Sequence, residues 1–213
     1  MEKPLNIRIE DFGSRVANVW ENLRPATRNL FEQALASIAP STLSARPAAN
    51  IPYDRRAEWE LSRLLTALDE RAADDSLALS AEQKDELLRM IETCATVLQT
   101  TAQSAEVFAQ LLERALRWSD YRKVDQLSDA FSTQLTTTEI CELARHPNPA
   151  IRAIAQDALA QSPTSVLVEL LGDPVDAEIV RDALLRQADE YEIEEARWII
   201  AALEEGDPLD DEM

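Results

Sequence analysis

His146 is the only histidine in the 213 residues, and Glu142 stands four positions before it, on what would be the same helical face. Such a pair is half of a metal site. With one imidazole there is no HExxH and no two-histidine triad, and the Glu-x-x-His spacing of di-iron bundles is not met. A histidine at the C-terminal end of a helix has a simpler use, because as a cation it complements the helix dipole and reaches the last carbonyls. Cys141 lies five residues from His146, a separation that turns side chains about 140° apart on a helix and forbids a Cys–His pair within it. A pairing of Cys94 with His146 stays open, although two buried, reduced thiols with no CxxC spacing are the plainer expectation. Forty acidic side chains make any carboxylate dyad uninformative. The three glycines, Gly13, Gly172 and Gly206, stand alone and cannot build a phosphate-cradling loop. The expectation is therefore no catalytic residue, no cofactor and no metal, in a protein that is not an enzyme.

The chain carries 21 basic and 40 acidic residues, a formal net charge of −19. That balance repels nucleic-acid backbones and anionic lipid surfaces, both of which are bound through Lys and Arg. Residues 1–53 are nearly neutral at +1, whereas residues 54–213 hold a net of −20. The sequence opens without a basic segment followed by an apolar one, and its longest unbroken apolar stretch, Trp198 to Leu203, is six residues. A cytoplasmic address follows as the expectation.

With 46% hydrophobic and 29% charged residues the composition is globular, and alternating β-branched runs are nearly absent. The spacing predicts helices throughout. Leu5, Ile9, Phe12, Val16, Val19 and Leu23 form one stripe of a first helix, and Pro25 opens a second that ends near Pro40. Residues 1–39 read as an N-terminal helical arm. Residues 40–53 hold three prolines in fourteen positions and read as an extended linker at the charge boundary. A helical domain spans 54–205. Asp54 caps its first helix, which runs to Ala73, and Ser80 with Gln83 forms a capping box for the second. Shorter helices follow at about 104–117, 120–133, 137–145, 149–161, 163–171, 176–189 and 192–205. Ser162 before Pro163 and Asp173 before Pro174 read as caps, and residues 206–213 as an acidic tail.

Weak repetition runs through the second half. Asp129-Ala130-Phe131, Asp157-Ala158-Leu159 and Asp182-Ala183-Leu184 recur at offsets of 28 and 25, and Arg122, Arg152 and Arg181 at offsets of 30 and 29. The segment from His146 through Pro147, Pro149, Ile151-Arg152 and Asp157-Ala158-Leu159 resembles the second helix of a HEAT-type repeat. Asp173-Pro174 followed by Val180-Arg181-Asp182-Ala183-Leu184 resembles a second copy, with extra residues between Pro174 and Val180. The likeness covers about 105–205. It implies an all-α stack of helical hairpins, a HEAT-like solenoid, with the N-terminal arm attached. It also implies a scaffold or adaptor whose inner face holds another protein.

On that basis the expected partner is another protein, a basic one being the sharper alternative, with no nucleic acid and no membrane, and the arm offers a way to join copies of the chain. Trp118, Tyr121, Arg122, Arg152 and Arg181 are the candidate partner-binding residues. In HEAT-like repeats an arginine at this place bonds to acidic groups of the neighbouring repeat, so a structural ladder is the first reading of the three arginines and a binding row the second. Trp20, Trp59, Trp118 and Trp198 all keep helical spacing with aliphatic residues and are expected in the core, Trp118 beside Tyr121 being the one to watch for exposure. Two rivals remain. One is a HEAT-like lyase or maturation factor, marked by a conical cavity lined with aromatics and a perturbed carboxylate or His146. The other is an acidic mimic that blocks a basic surface, marked by steep salt dependence.

Overall fold

The computed structural model describes residues 8–37, 53–74 and 78–206, and among these the chain is helical with no strand. It divides into two compact units, Met1–Gln103 and Ser104–Met213.

The first unit holds a 3₁₀ turn, Ile9–Phe12, and four helices: α1 (Ser14–Asn22), α2 (Pro25–Ser37), α3 (Arg55–Ala73) and α4 (Ala81–Thr101). The predicted stripe is real, with Ile9, Phe12, Val16 and Leu23 buried, but it is not one helix. Gly13 takes φ +109°, a conformation that glycine tolerates and that ends the 3₁₀ turn before α1 begins. α3 and α4 pack together as a pair, α1 packs on α3, and α2 packs on both α3 and α4. Trp20 meets Phe31 edge to face at 5.8 Å, and Leu61, Leu64, Leu65, Leu68, Ile91 and Leu98 are buried in the same unit. Asp54 caps α3 by accepting from the Arg56 and Ala57 N–H groups, and Ser80 and Gln83 close the capping box of α4. Of the proline-rich segment 40–53, all but Tyr53 lies outside the described residues, as do Leu5 and residues 207–213 of the tail.

A buried carboxylate ties the α1–α2 turn and the start of α2 to α3. Glu60, 3% exposed, accepts from the Thr27 hydroxyl at 2.5 Å, the Arg24 N–H at 3.2 Å, the Arg24 guanidinium at 3.1 Å and the Arg56 guanidinium at 3.2 Å. Arg24 also bridges to Asp54 at 2.8 Å. Burial alone pushes the Glu60 pKa up, but the Thr27 and Arg24 hydrogen bonds and the Arg24 charge together hold it below the usual value.

The second unit holds α5 (Ala105–Arg117), α6 (Tyr121–Gln134), α7 (Thr137–Ala144), α8 (Pro149–Ala160), α9 (Thr164–Leu170), α10 (Ala177–Asp189) and α11 (Glu194–Gly206). Every segment expected after Leu98 is a helix, its ends displaced by a residue or two. Asp120, Thr136 and Asn148 cap α6, α7 and α8 through their side chains, and Pro149 opens α8, where no N–H is needed. Two expected caps are different. The Ser162 hydroxyl donates back to the Ala158 carbonyl, so α9 starts without a side-chain cap. Asp173 accepts from the Val175 N–H and closes a local turn, and α10 begins only at Ala177.

Consecutive helices pair, α5 with α6, α7 with α8, α9 with α10 and α10 with α11. Alternate helices are also neighbours, since α5 packs on α7, α7 on α9, α6 on α8 and α8 on α10. Phe108 and Phe131 meet edge to face at 5.5 Å, and Leu112, Leu127, Ile151, Leu159, Leu167, Val180 and Leu184 are fully buried.

The tryptophan expectation holds for Trp20 alone. Trp59 is 50% exposed, Trp118 71% and Trp198 75%. Trp59 shares its face with Arg55 and Arg63, and the Arg63 guanidinium lies 4.8 Å from its ring centre. Trp198 shares its face with Glu194 and Glu205, all exposed. Among the described residues no helix is long and apolar enough to cross a membrane.

Candidate functional site

The groups with the most reactive chemistry are held out of reach. Cys141 is fully buried, and desolvation, helped by the negative charge of Asp176, pushes its thiol up to about 12. Cys94 is also buried, its Sγ 3.3 Å from the Leu61 carbonyl, to which it donates. Both thiols are therefore expected to resist a water-soluble disulfide reagent at pH 8 until denaturant is added. Rapid labelling of Cys141 in the native chain would show a thiolate where burial forbids one.

His146 sits in the turn after α7, but it does not cap that helix. Its Nδ1 accepts from the Asn148 N–H at 3.2 Å, and its Nε2 lies 3.7 Å from a Glu113 oxygen on α5. The carbonyls of Glu142 and Leu143 are met instead by the backbone N–H groups of Arg145 and His146. The imidazole thus bonds within the α7–α8 turn and faces α5 across 3.7 Å, and the exposed Glu142 is not part of its hydrogen bonding. Among the described residues no cluster of three or more His, Cys, Asp or Glu could hold a metal ion.

The candidate arginines fall on successive second helices, Arg122 on α6, Arg152 on α8 and Arg181 on α10, but they are not equivalent. Arg122 is exposed. Arg152 is half-buried and donates to the His146 and Pro147 carbonyls at 2.9 and 2.8 Å, so it bolts the turn before its own helix and, among the described residues, meets no acidic group of a neighbouring hairpin. Arg181 is half-buried. The acidic pairings between hairpins are made by other residues. Arg145 after α7 reaches Asp176 before α10 at 2.6 Å, with Asp176 only 1% exposed, and Arg186 on α10 lies 3.5 Å from Asp157 on α8. Gln187, fully buried, donates to the Ala160 and Ser162 carbonyls and accepts from the Thr164 hydroxyl, which locks the α8–α9 turn to α10. The repeat offsets pick out Arg122, Arg152, Arg181 and Asp157 but not the pairs themselves, whose partners lie 29 to 31 residues apart without sharing a motif.

Two candidate contact surfaces lie in the second unit. Between α8 and α10 lies a cavity of about 270 Å³ lined by Gln156, Leu159, Ile179, Asp182, Leu185 and Arg186, partly apolar and edged by both signs of charge. Neither an aromatic ring nor His146 lines it.

The second surface is the α5–α6 turn, where Trp118 and Tyr121 are 71% and 67% exposed beside the exposed Arg117 and Arg122. The Asp120 N–H donates to the Ala115 carbonyl and the Ser119 N–H to the Leu116 carbonyl, the paired bonds of a Schellman ending. Ser119 occupies the left-handed position at φ +55°, which glycine usually fills. The turn is therefore a fixed shape that holds Trp118 on one side of the reversal and Tyr121 on the other.

Compared with known protein families, curated proteins and solved structures, the chain has no match.

Proposed function

We propose that this chain is a non-catalytic interaction module, a scaffold or adaptor whose second unit is a short HEAT-like stack of helical hairpins. The observation that carries this reading is the order of neighbours in that unit, first helices α5, α7 and α9 side by side and second helices α6, α8 and α10 side by side. A hairpin repeat buries its apolar sides against its neighbours and leaves the outer residues free for contact. The α8–α10 cavity supports the same reading, because its mixed lining suits a partner's side chains and holds none of the aromatic walls that a lyase site would use. The surrounding surface is strongly acidic, so a protein with a basic face is the partner that fits this groove.

The test is cross-linking of the intact chain in native extract, followed by identification of the linked peptides. The reading requires a partner protein linked to residues of α8 and α10, and an Asp182→Arg variant that recovers it roughly tenfold less, as loss of a central interface side chain does. A chain that recovers no protein, or that purifies with a small molecule seated between α8 and α10, contradicts it. Titration with salt separates the readings further. Binding that collapses between low and moderate ionic strength marks an acidic mimic, and binding that holds marks apolar contact.

A further inference from the structure

Ser104–Met213 carries 24 acidic and nine basic residues, and four of the nine, Arg114, Arg117, Arg122 and Lys123, fall within ten positions around the α5–α6 turn. The basic side chains elsewhere in the unit are mostly engaged. Arg145 and Arg186 hold carboxylates, and Arg152 and Arg197 hold backbone carbonyls. Among the described residues Arg117, Arg122 and Lys123 form no ion pair, although carboxylates outnumber cations more than two to one in this unit. An acidic protein thus keeps three uncommitted cations together at one place. That place is also where its exposed Trp118 and Tyr121 stand, on a turn whose Ser119 is held in a left-handed conformation.

Trp, Tyr and Arg are the residue types that dominate binding energy at protein interfaces, and a rigid turn presents them with little ordering cost. Cations within a screening length of about 8 Å attract a carboxylate-bearing segment, and arginine grips a carboxylate through paired N–H bonds. We propose that the turn from Arg117 to Lys123 is the docking point for an acidic segment of another protein, one that places carboxylates on Arg117, Arg122 and Lys123 and an apolar side chain against Trp118 and Tyr121. This deepens the interaction-module reading and rests on it, while giving this turn the opposite charge preference from the α8–α10 groove. A nucleic acid fits poorly, because its long phosphate backbone would have to run past the carboxylates that make up most of the unit's charge. A short acidic peptide does not extend that far.

The experiment is selection from a display library of short random peptides on the intact chain, with the triple variant R117E/R122E/K123E as the counter-target. Selected peptides are then measured by fluorescence anisotropy against both chains and against Trp118→Ala. Arg117, Trp118 and Arg122 are exposed and Lys123 is half-buried, and unchanged melting by circular dichroism confirms the fold. Peptides enriched on the native chain over the triple variant are expected to be net negative with an aromatic or large aliphatic residue. Trp118→Ala weakens them about 30-fold, the size of a hot-spot truncation. Three results overturn the proposal. The first is enriched peptides that are neutral or basic, or that bind both chains equally. The second is a single-stranded oligodeoxynucleotide that binds the turn more tightly than any selected peptide. The third is self-association of the native chain abolished in the triple variant, which would make a second copy the occupant. Peptides lost with Asp182→Arg but kept by the triple variant would sink this proposal and leave the module standing. A library that yields no binder to the native chain counts against both.

Discussion

Replacing Glu60 by Ala is expected to lower the stability of the first unit by about 3 kcal/mol. The buried Thr27 hydroxyl loses its acceptor, and Arg24 loses the charged bonds that hold the start of α2 to α3. Arg24 and the largely exposed Arg56 can turn back to water, which keeps the cost below that of a wholly buried pair. Trp20 provides the readout. It is buried in this unit, whereas Trp59, Trp118 and Trp198 are already exposed, so the change in tryptophan emission on urea unfolding reports chiefly on its surroundings. The pH dependence has a definite sign. The folded pKa of Glu60 lies below its unfolded value, so its contribution is present above the ordinary carboxylate value of about 4.3 and is lost as pH falls through the lower, folded value. Asp54, lowered by its bonds from Ala57 and Arg24, acts in the same direction. A Glu60→Gln chain should unfold at a lower urea concentration at pH 7, and the gap from the native chain should narrow below about pH 4. An unchanged gap across that range would show that the carboxylate's charge does not matter.

In the second unit the largest single effect is expected at Phe108. Phe108→Ala removes a fully buried ring from the edge-to-face pair with Phe131 and should cost about 3–5 kcal/mol. In a double-mutant cycle with Phe131→Ala, about 0.5–1.5 kcal/mol of coupling should remain beyond the area each ring buries. Amide exchange places the loss. If α5 and α6 share a core with α7 and α8, protection falls in all four helices. Protection lost in α5 and α6 alone would mean that this hairpin is not packed on its neighbour.

Helix positions were legible from spacing and from the caps at Asp54 and Ser80, because each signal is local, whereas Asp120, Thr136 and Asn148 cap their helices without having been picked out. The first helix was misjudged at one residue. The apolar stripe continues through Gly13, and periodicity cannot register a positive φ. The tryptophans failed for a reason that the sequence contains. Residues four apart share a helical face, and Trp59 lies between Arg55 and Arg63, while Trp198 follows Glu194. Those charged companions indicate exposure, which the aliphatic neighbours alone conceal. At the candidate surfaces, Trp118, Tyr121 and Arg122 were visible as residue types, and the structure brings them out together on one turn. Arg152 was not legible as a bolt for its own turn, because its acceptors are carbonyls, and every residue has one of those. The bridges from Arg145 to Asp176 and from Arg186 to Asp157 need the packing of α7 and α8 against α10 before either can be seen.

The hairpin stack of the second unit is tested most directly by spin-label distances between cysteines placed on α6, α8 and α10. Asp129, Ala153 and Glu178 are exposed, and the native Cys94 and Cys141 are buried and should stay unlabelled. Packed neighbouring helices lie about 10 Å apart, so a row of second helices predicts that the α6–α10 separation is close to twice that of α6–α8 or α8–α10. Three equal separations would place the helices around a common centre, and the stack, with the open interaction face it supports, would be contradicted.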